Sequence, residues 1–323
     1  MKSRTLLLIL VAVTVVLMVA DICVGAVNMP LSEVWAALRG EADDASVLIV
    51  RHIRLLKALV AVLVGVALSV SGLQMQTLFR NPLAGPYVLG ISSGASLGVA
   101  LVMLGAPVFG AVSSIGVAMA AWAGSAAMLL LITVAGARIK DIMVILILGI
   151  MLSSAISAVV QVLQYISRDD SLKSYVIWTM GTLGDVTSAQ FPVFLGGISA
   201  GAVMAMFTVK PLNMLLLGEN YARSLGLDLK RSRTVIILST TLLAGTVTAF
   251  CGPIGFIGLA IPHVARALFR TADHRILIPA SALTGAAVMI VCDITAKLLA
   301  LPINSITSLV GIPVVVWVVL ANK

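Results

Sequence analysis

The 323-residue sequence is poor in charge, because Asp, Glu, Lys and Arg make up only 11% of it, whereas soluble domains carry about 25%. Hydrophobic residues make up 60%, which leaves too few polar side chains to cover a water-soluble core. The same composition excludes intrinsic disorder, which needs low hydrophobicity and high charge. It also disfavours a transmembrane β-barrel, whose strands alternate polar and apolar residues. The sequence therefore predicts an all-α, polytopic membrane protein.

Residues that carry covalent or nucleotide chemistry are equally scarce. The three cysteines, Cys23, Cys251 and Cys292, lie in or beside apolar stretches without a CxxC pair, which is typical of small buried hydrophobes. No segment fits the P-loop pattern G-x-x-x-x-G-K-[ST], so ATP hydrolysis by a P-loop is not expected of this chain. We predict no catalytic, metal or cofactor site.

Long apolar runs dominate what is present, and a membrane helix needs about 20 such residues. They predict ten spans, at 5–27, 56–78, 92–109, 114–135, 143–165, 192–209, 234–250, 256–270, 277–298 and 306–321. The first span is expected to be retained, because no cleavage site of the usual small-residue form follows it. The polar stretches between the spans are too small for a second core, so one domain, 1–323, is predicted.

The basic residues predict the orientation of the chain. With the N-terminus inside, most of the 21 Lys and Arg fall on the inner side and most acidic residues on the outer side. Both termini are therefore expected in the cytoplasm. The net charge of +8 reflects this topology and does not indicate a nucleic-acid partner.

Two glycine-rich segments interrupt the helical pattern. In the first, Asn81-Pro82 ends a helix after Arg80, and Gly90 and Gly94 begin a stripe that lets another helix approach closely. Broken helices at membrane depth favour a transport pathway. The second segment is predicted to form a bent, close-packed helix, in which His263 is a packing residue and not a metal ligand; its residues include Gly258, Pro262, His263 and, on the same side, Arg266.

A third segment, 210–233, is too polar to span the membrane but has helical character. Gly218 and Gly226 are predicted to end two short helices, and Glu219 suits the positive end of the second. Such amphipathic helices either lie on the membrane surface or insert into a cytoplasmic partner.

Together these segments resemble the permease family of type II ABC importers for iron–siderophores, haem and cobalamin, and the cobalamin permease is especially close in pattern. The densest matches are SGLQMQTLFRNPLAGPYVLGISSGASLGVAL, LNMLLLGENYARSLGLDL, GPIGFIGLAIPHVARALFRTADHRILIPASALTGAAVMIVCD and LPINSITSLVGIP. The resemblance implies ten helices per subunit in the bacterial inner membrane. It implies a second permease subunit, two cytoplasmic ATPase subunits that bind ATP and Mg²⁺, a periplasmic binding protein and a metal-chelate substrate.

The resemblance also implies roles for individual residues. The ATPase-coupling segment would comprise Met214, Leu217, Gly218, Glu219, Ala222, Arg223, Leu225, Gly226 and Leu227. Arg54, Lys57 and Lys297 would grip acidic side chains of the binding protein, although helix ends that snorkel to the interface explain them equally well. Asp141, Ile142 and Met143 would form the cytoplasmic gate. The pathway walls would come from 143–165, from a re-entrant stretch at 172–186 and from the last helix.

The chain departs from the family at three places. Arg54-Leu55-Leu56-Lys57 replaces the usual R-L-P-R and loses a bidentate guanidinium. The gate positions are not small and hydroxylated, and Asn304 stands where glycine is common.

Two rival functions remain open at this point. An ion-gradient transporter should show buried acids or matching broken helices in two halves, and only Asp21 and Asp293 lie in spans. Gly90-Ile91-Ser92-Ser93-Gly94 matches the G-x-S-x-G elbow, so an intramembrane protease that uses Ser92 or Ser93 with His263 is the other rival. Asp293 and Lys297, four residues apart, are predicted to form a structural ion pair.

Overall fold

A computed structural model describes residues 2–25, 29–105, 113–139 and 141–321, and every regular element in these ranges is helical. The helices are α1 (Lys2–Cys23), α2 (Leu31–Arg39), α3 (Asp44–Leu48), α4 (Leu55–Leu78), α5 (Ile91–Met103), α6 (Ser114–Arg138), α7 (Ile142–Ile166), α8 (Asp169–Thr179), α9 (Phe191–Leu216), α10 (Glu219–Ser224), α11 (Leu229–Cys251), α12 (Ile257–Phe269), α13 (His274–Leu299) and α14 (Ile303–Ala321). A π-helical turn, Ile49–Arg54, joins α3 to α4.

The prediction of an all-α, polytopic chain is confirmed. Seven described helices are long and apolar enough to cross a membrane, and three shorter apolar helices accompany them. Together they correspond one to one with the ten predicted spans. The predicted spans 5–27 and 92–109 and the ends of the predicted domain extend into residues outside the described ranges.

Two of the short helices are preceded by irregular backbone, as the glycine and proline pattern predicted. With 13 residues each, α5 and α12 are about 20 Å long, less than the roughly 30 Å hydrocarbon thickness of a bilayer. The non-helical segments before them place Ala84, Leu89 and Ile254 in the protein interior. Protein therefore surrounds this irregular backbone, which is the condition for its survival at membrane depth.

Acidic side chains begin three of the helices at the end of the bundle that is predicted to be cytoplasmic. Asp141, Asp228 and Asp273 accept backbone N–H groups of Met143, Arg231 and Arg275 at 2.8, 3.0 and 2.9 Å. Each carboxylate satisfies one of the donors that a helix start leaves without an intrahelical partner.

The prediction of two short helices within 210–233 is wrong for the first of them. Residues 210–216 continue α9, which is 26 residues long and contains Pro211. Leu212 and Leu215 are buried in the core, and this burial stabilises the helical conformation beyond the polar Lys210. The second helix, α10, is short, as predicted. The next helix, α11, begins at Leu229, so it includes Lys230, Arg231 and Arg233, which precede the predicted span 234–250.

Among the seven long helices, α4, α11 and α13 are the most buried. In the most apolar 18-residue stretch of each helix, 56%, 72% and 67% of the residues are buried in α4, α11 and α13, but only 17% and 22% in α1 and α7. The peripheral helices therefore present apolar side chains outward, to lipid or to another subunit.

Candidate functional site

The predicted coupling segment, Met214–Leu227, forms a protruding corner between α9 and α11. Gly218 and Gly226 each follow a helix and have φ values of 104° and 83°, which favour glycine. At Gly226 the backbone closes a Schellman motif, because its N–H donates to the carbonyl of Arg223 and the N–H of Leu227 donates to that of Ala222. The two glycines thus fix the direction in which α10 projects.

One side of the coupling segment is anchored to the bundle. Ala222 is fully buried, and Met214 and Leu227 pack against the same core cluster. Glu219, the first residue of α10, accepts a hydrogen bond from Arg233 of α11 at 2.5 Å. These contacts make α10 a rigid extension of the transmembrane helices.

The other side of the coupling segment is apolar and faces outward. Leu217, Tyr221 and Leu225 are 61%, 69% and 58% exposed, and Arg223 is exposed beside them. Large exposed apolar groups on a rigid corner are typical of a protein–protein contact.

A cavity of about 600 Å³ joins the coupling segment to the predicted gate. Arg80, Ile142 and Met143 line it together with the segment 217–221. The third gate residue, Asp141, caps α7 next to them. Residues predicted separately as gate, coupling segment and family motif therefore meet at one end of the bundle.

His263 belongs to a polar cluster that links α12 to the loop after α4. Its Nε2 lies 2.7 Å from the carbonyl oxygen of Pro82, which can only accept, so Nε2 carries the proton. Gln76 of α4 binds α12 at two points. Its amide nitrogen donates to the carbonyl of Leu259, and its side-chain oxygen accepts from Arg266 at 2.6 Å. The hydrogen-bonded packing role predicted for His263 fits this geometry.

A second polar cluster at the same end was missed by sequence reasoning. The ring of His274 contacts Thr77 of α4 at 2.9 Å and the side-chain oxygen of Asn213 of α9 at 2.8 Å. Asn213 also donates to Asp273 at 2.7 Å. The N–H of Arg275 and this amide lower the pKa of Asp273. No sequence motif predicts these contacts. Thr77 and Asn213 precede Asp273 and His274 by at least 60 residues in the sequence.

The predicted packing glycines lie at close helix contacts. A Cβ on Gly94 would overlap the backbone of Gly124 in α6, and one on Gly90 would overlap the side chains of Met128 and Ser153. Gly258 of α12 likewise lies against the backbone of Leu68 in α4 and the ring of Pro86.

The predicted docking residues lie together at the opposite end of the bundle, where each is engaged within the chain. Arg54 is buried and donates to the carbonyls of Ile22 and Cys23 at 2.9 and 3.1 Å, so it caps the end of α1. Lys297 is 2.7 Å from a carboxylate oxygen of Asp21 and 2.8 Å from one of Asp293. The predicted ion pair between Asp293 and Lys297 is therefore confirmed.

Lys57 completes this cluster, with its ammonium 3.0 Å from Asp293. Both carboxylates are almost fully buried, whereas Lys57 retains 26% of its side-chain exposure and Lys297 retains 11%. We call Asp21, Lys57, Asp293 and Lys297 the outer ion cluster. Asp21 and Asp293 fix the positions of both lysines within the chain. Docking of these lysines to a partner protein remains a prediction.

Asn304, one of the departures from the family pattern, has a structural role. Its side-chain oxygen accepts the N–H of Gly255 at 3.0 Å, and its own N–H donates to the carbonyl of Met180. It thereby ties the irregular backbone before α12 to the turn after α8. In that region Trp178 is buried and packs on Tyr175.

Comparison with known proteins identifies this architecture. The family described as the FecCD transport family matches residues 11–321. The chain belongs to this family. It is 35% identical to the hemin transport system permease protein HmuU of Yersinia pestis, over all of this chain and 97% of that protein. It is 37% identical to the vitamin B12 import system permease protein BtuC of Salmonella typhi, over 89% of this chain and 86% of that protein.

A solved structure of a metal-chelate type ABC transporter, in an inward-facing conformation, has the same fold. It superposes with a TM-score of 0.85 and 28% identity, and 99% of each chain is covered. The predicted resemblance to ABC importer permeases and the predicted permease fold are confirmed. As a member of a transport family, the chain is a transport component.

Proposed function

We propose that this chain is the permease subunit of an ABC importer that carries a bulky metal chelate from periplasm to cytoplasm. It would lie in the bacterial inner membrane with both termini cytoplasmic. Two such subunits would assemble with two ATPase subunits, which bind ATP and Mg²⁺, and with a periplasmic binding protein. Closure and opening of the ATPase pair would drive alternating access.

The observation that carries this proposal is the anchored, outward-facing corner formed by the coupling segment. Exposed Leu217, Tyr221 and Leu225 offer an apolar contact, while buried Ala222 and the Glu219–Arg233 pair transmit force to α9 and α11. A partner that moves α10 as a rigid body would also deform the adjoining cavity that Arg80 and Met143 line. ATPase movement would therefore reach the predicted gate directly.

A groove of about 630 Å³ supports a substrate pathway along α7 and the loop before α5. Its lining combines hydroxyl and amide groups with apolar walls, and it includes Tyr87, Ser92, Ser93, Ser153, Ser154, Ser157 and Gln161. Ser153, Ser154 and Ser157 donate to carbonyls of their own helix, so these three hydroxyls have no proton left to donate to a substrate. Such a wall binds polar substituents weakly, which suits passage of a large chelate.

A second copy of the chain would complete this pathway. Beside the groove, α7 exposes Ile147, Met151 and Val162, and elsewhere on the bundle α14 exposes Leu309 and Trp317. Two permeases that face each other across these helices would enclose the groove and shield it from lipid. The cargo would be ferric siderophore, haem or cobalamin, since the relatives named above include a hemin permease and a vitamin B12 permease.

At the outer end, Arg54, Lys57 and Lys297 would receive acidic side chains of the binding protein. Three cations and the two carboxylates of the outer ion cluster leave one net positive charge there. A carboxylate that approaches Lys57, the most exposed of the three, would extend this network without breaking it.

The proposal is tested by co-purifying the tagged permease with its operon's ATPase and assaying ATP hydrolysis in liposomes. We expect stimulation by the cognate binding protein loaded with one of the three chelates. Gly226→Pro should abolish this stimulation, because proline requires φ near −65° where Gly226 has +83°.

The matched control is Gly40→Pro, which places the same conflict at a helix-ending glycine with φ of +81° at the outer end. It should leave ATPase association intact. Uptake driven by an ion gradient without any associated ATPase would refute the importer and favour a secondary transporter.

A further inference from the structure

A cavity of about 260 Å³ opens beside the coupling segment, between α11 and the pair α6–α7. Its floor is apolar, with Ile132 and Ile237 buried and Ile145 and Leu229 beside them. The volume is that of about nine water molecules in the liquid, enough for a phosphate group and several methylenes.

Three cations gather at the mouth of this cavity. Lys230, Arg233, Thr234 and Ile237 occupy one face of α11, because they are spaced by three, four and seven residues. Arg223 reaches the same cavity from α10. Glu219 balances one charge by pairing with Arg233, and Asp228, which caps α11, is not among the residues that line the cavity, so about two positive charges remain at the mouth.

The cavity runs from the polar first turn of α11 into the apolar part of that helix. Lys230 lies in the first turn of α11, and Ile237 lies seven residues, or about 10 Å, further along the axis. On the α6 side Thr133 is exposed, and its neighbours Leu130 and Val134 are 64% and 60% exposed. The mouth therefore lies beside exposed apolar side chains of α6 as well as at the end of the bundle that is predicted to be cytoplasmic.

We propose that this cavity binds an anionic phospholipid, with its phosphate on Arg223, Lys230 and Arg233 and the start of an acyl chain against Ile132 and Ile237. Basic pockets between transmembrane helices suit acidic headgroups on the cytoplasmic side. A carboxylate of a protein partner would bind the cations but would not fill the apolar floor of the cavity. The apolar floor therefore favours a lipid as the ligand. The bound lipid would bridge α6 and α7 to α10 and α11.

The test uses the full-length permease alone, purified in detergent, and does not depend on the transport role. Native mass spectrometry would compare retention of dioleoyl phosphatidylglycerol and dioleoyl phosphatidylcholine, with inorganic phosphate as competitor. We expect preferential retention of phosphatidylglycerol that millimolar phosphate does not displace. The double variant Arg223→Gln/Lys230→Gln should weaken this retention about tenfold or more.

Arg231→Gln/Arg275→Gln is the matched control, because it removes two exposed cations from the same end of the bundle but outside the cavity. It should retain lipid within about twofold of the parent chain. Thr133→Trp would fill the mouth and keep every cation, and it too should lose the lipid. These three results together support the site.

Other outcomes would overturn it. Equal loss in both double variants would mean unspecific binding to a basic surface, and equal retention of the neutral lipid would mean no charge recognition. Displacement by phosphate would identify a free-anion site. Unchanged lipid retention in Arg223→Gln/Lys230→Gln, with weakened ATPase binding, would assign the cations to a protein carboxylate.

Discussion

At the scale of single residues, a close approach of α4 and α12 in the core depends on Gly72 and Gly258. Residue 262 is proline, so the Gly258 carbonyl has no N–H from the next helical turn. That carbonyl lies against Gly72, where a Cβ would overlap it. Pro262 therefore leaves the Gly258 carbonyl without an intrahelical hydrogen bond, and the absence of side chains at Gly72 and Gly258 lets α4 and α12 come into contact.

Gly258→Ala is expected to destabilise the chain by about 1–3 kcal/mol, because its Cβ would meet the ring of Pro86 and the backbone of Leu68. Thermal unfolding in detergent measures the change. Gly196→Ala is the control, since no atom lies within 4 Å of its Cβ position. It should be neutral or stabilising by up to about 1 kcal/mol through helix propensity. Equal destabilisation by both would contradict the packing argument.

Sequence spacing predicted that Gly90, Gly94 and Gly258 lie at helix contacts, because small residues at regular intervals make a smooth face. It could not name Gly72 or Gly124 as their neighbours. The partner of a packing face depends on which helices adjoin, and a single sequence carries no signal for that.

At the scale of helices, the outer ion cluster joins α1, α4 and α13. Asp293 and Lys297 were predictable as a pair because they are four residues apart on one helix. Asp21 and Lys57 were not, because their partners lie more than 200 residues away in sequence. Buried carboxylates of this kind are costly unless paired, so the three helix ends must stay together.

Asp293→Asn is expected to cost about 3–5 kcal/mol, because it removes the carboxylate that faces both lysines and leaves Lys297 with Asp21 alone. Lys57→Gln should cost less, since the Lys57 side chain is 26% exposed and water can replace part of its interaction. Thermal unfolding measures both, with Glu41→Gln at an exposed outer position as control. If Asp293→Asn were as mild as Glu41→Gln, the cluster would not hold the helix ends.

At the scale of the whole molecule, the bundle has one end held by ion pairs and another held by polar clusters around His263 and His274. Hydropathy and proline predicted the ten spans and their interruptions, because both depend on local composition. The position of α10 was predictable only as an amphipathic segment with glycine boundaries. Its contact with Arg233 and its nearness to Met143 arise from tertiary packing, and its coupling role is a prediction from the family resemblance.

The two ends of the bundle predict separable mutational effects. Tyr221→Ala/Leu225→Ala removes exposed apolar groups from the coupling segment, so the free energy of unfolding should change by only about 0.5 kcal/mol. ATPase association should weaken about 30-fold, as for a truncated interface hot spot worth about 2 kcal/mol. Tyr165→Ala, at a tyrosine that is 91% exposed at the opposite end of α7, should leave association unchanged. Surface-immobilised permease titrated with ATPase measures both variants. Equal loss in both would show that the ATPase does not grip the corner around α10, and loss of folding in Tyr221→Ala/Leu225→Ala would show that the exposed face supports the bundle itself.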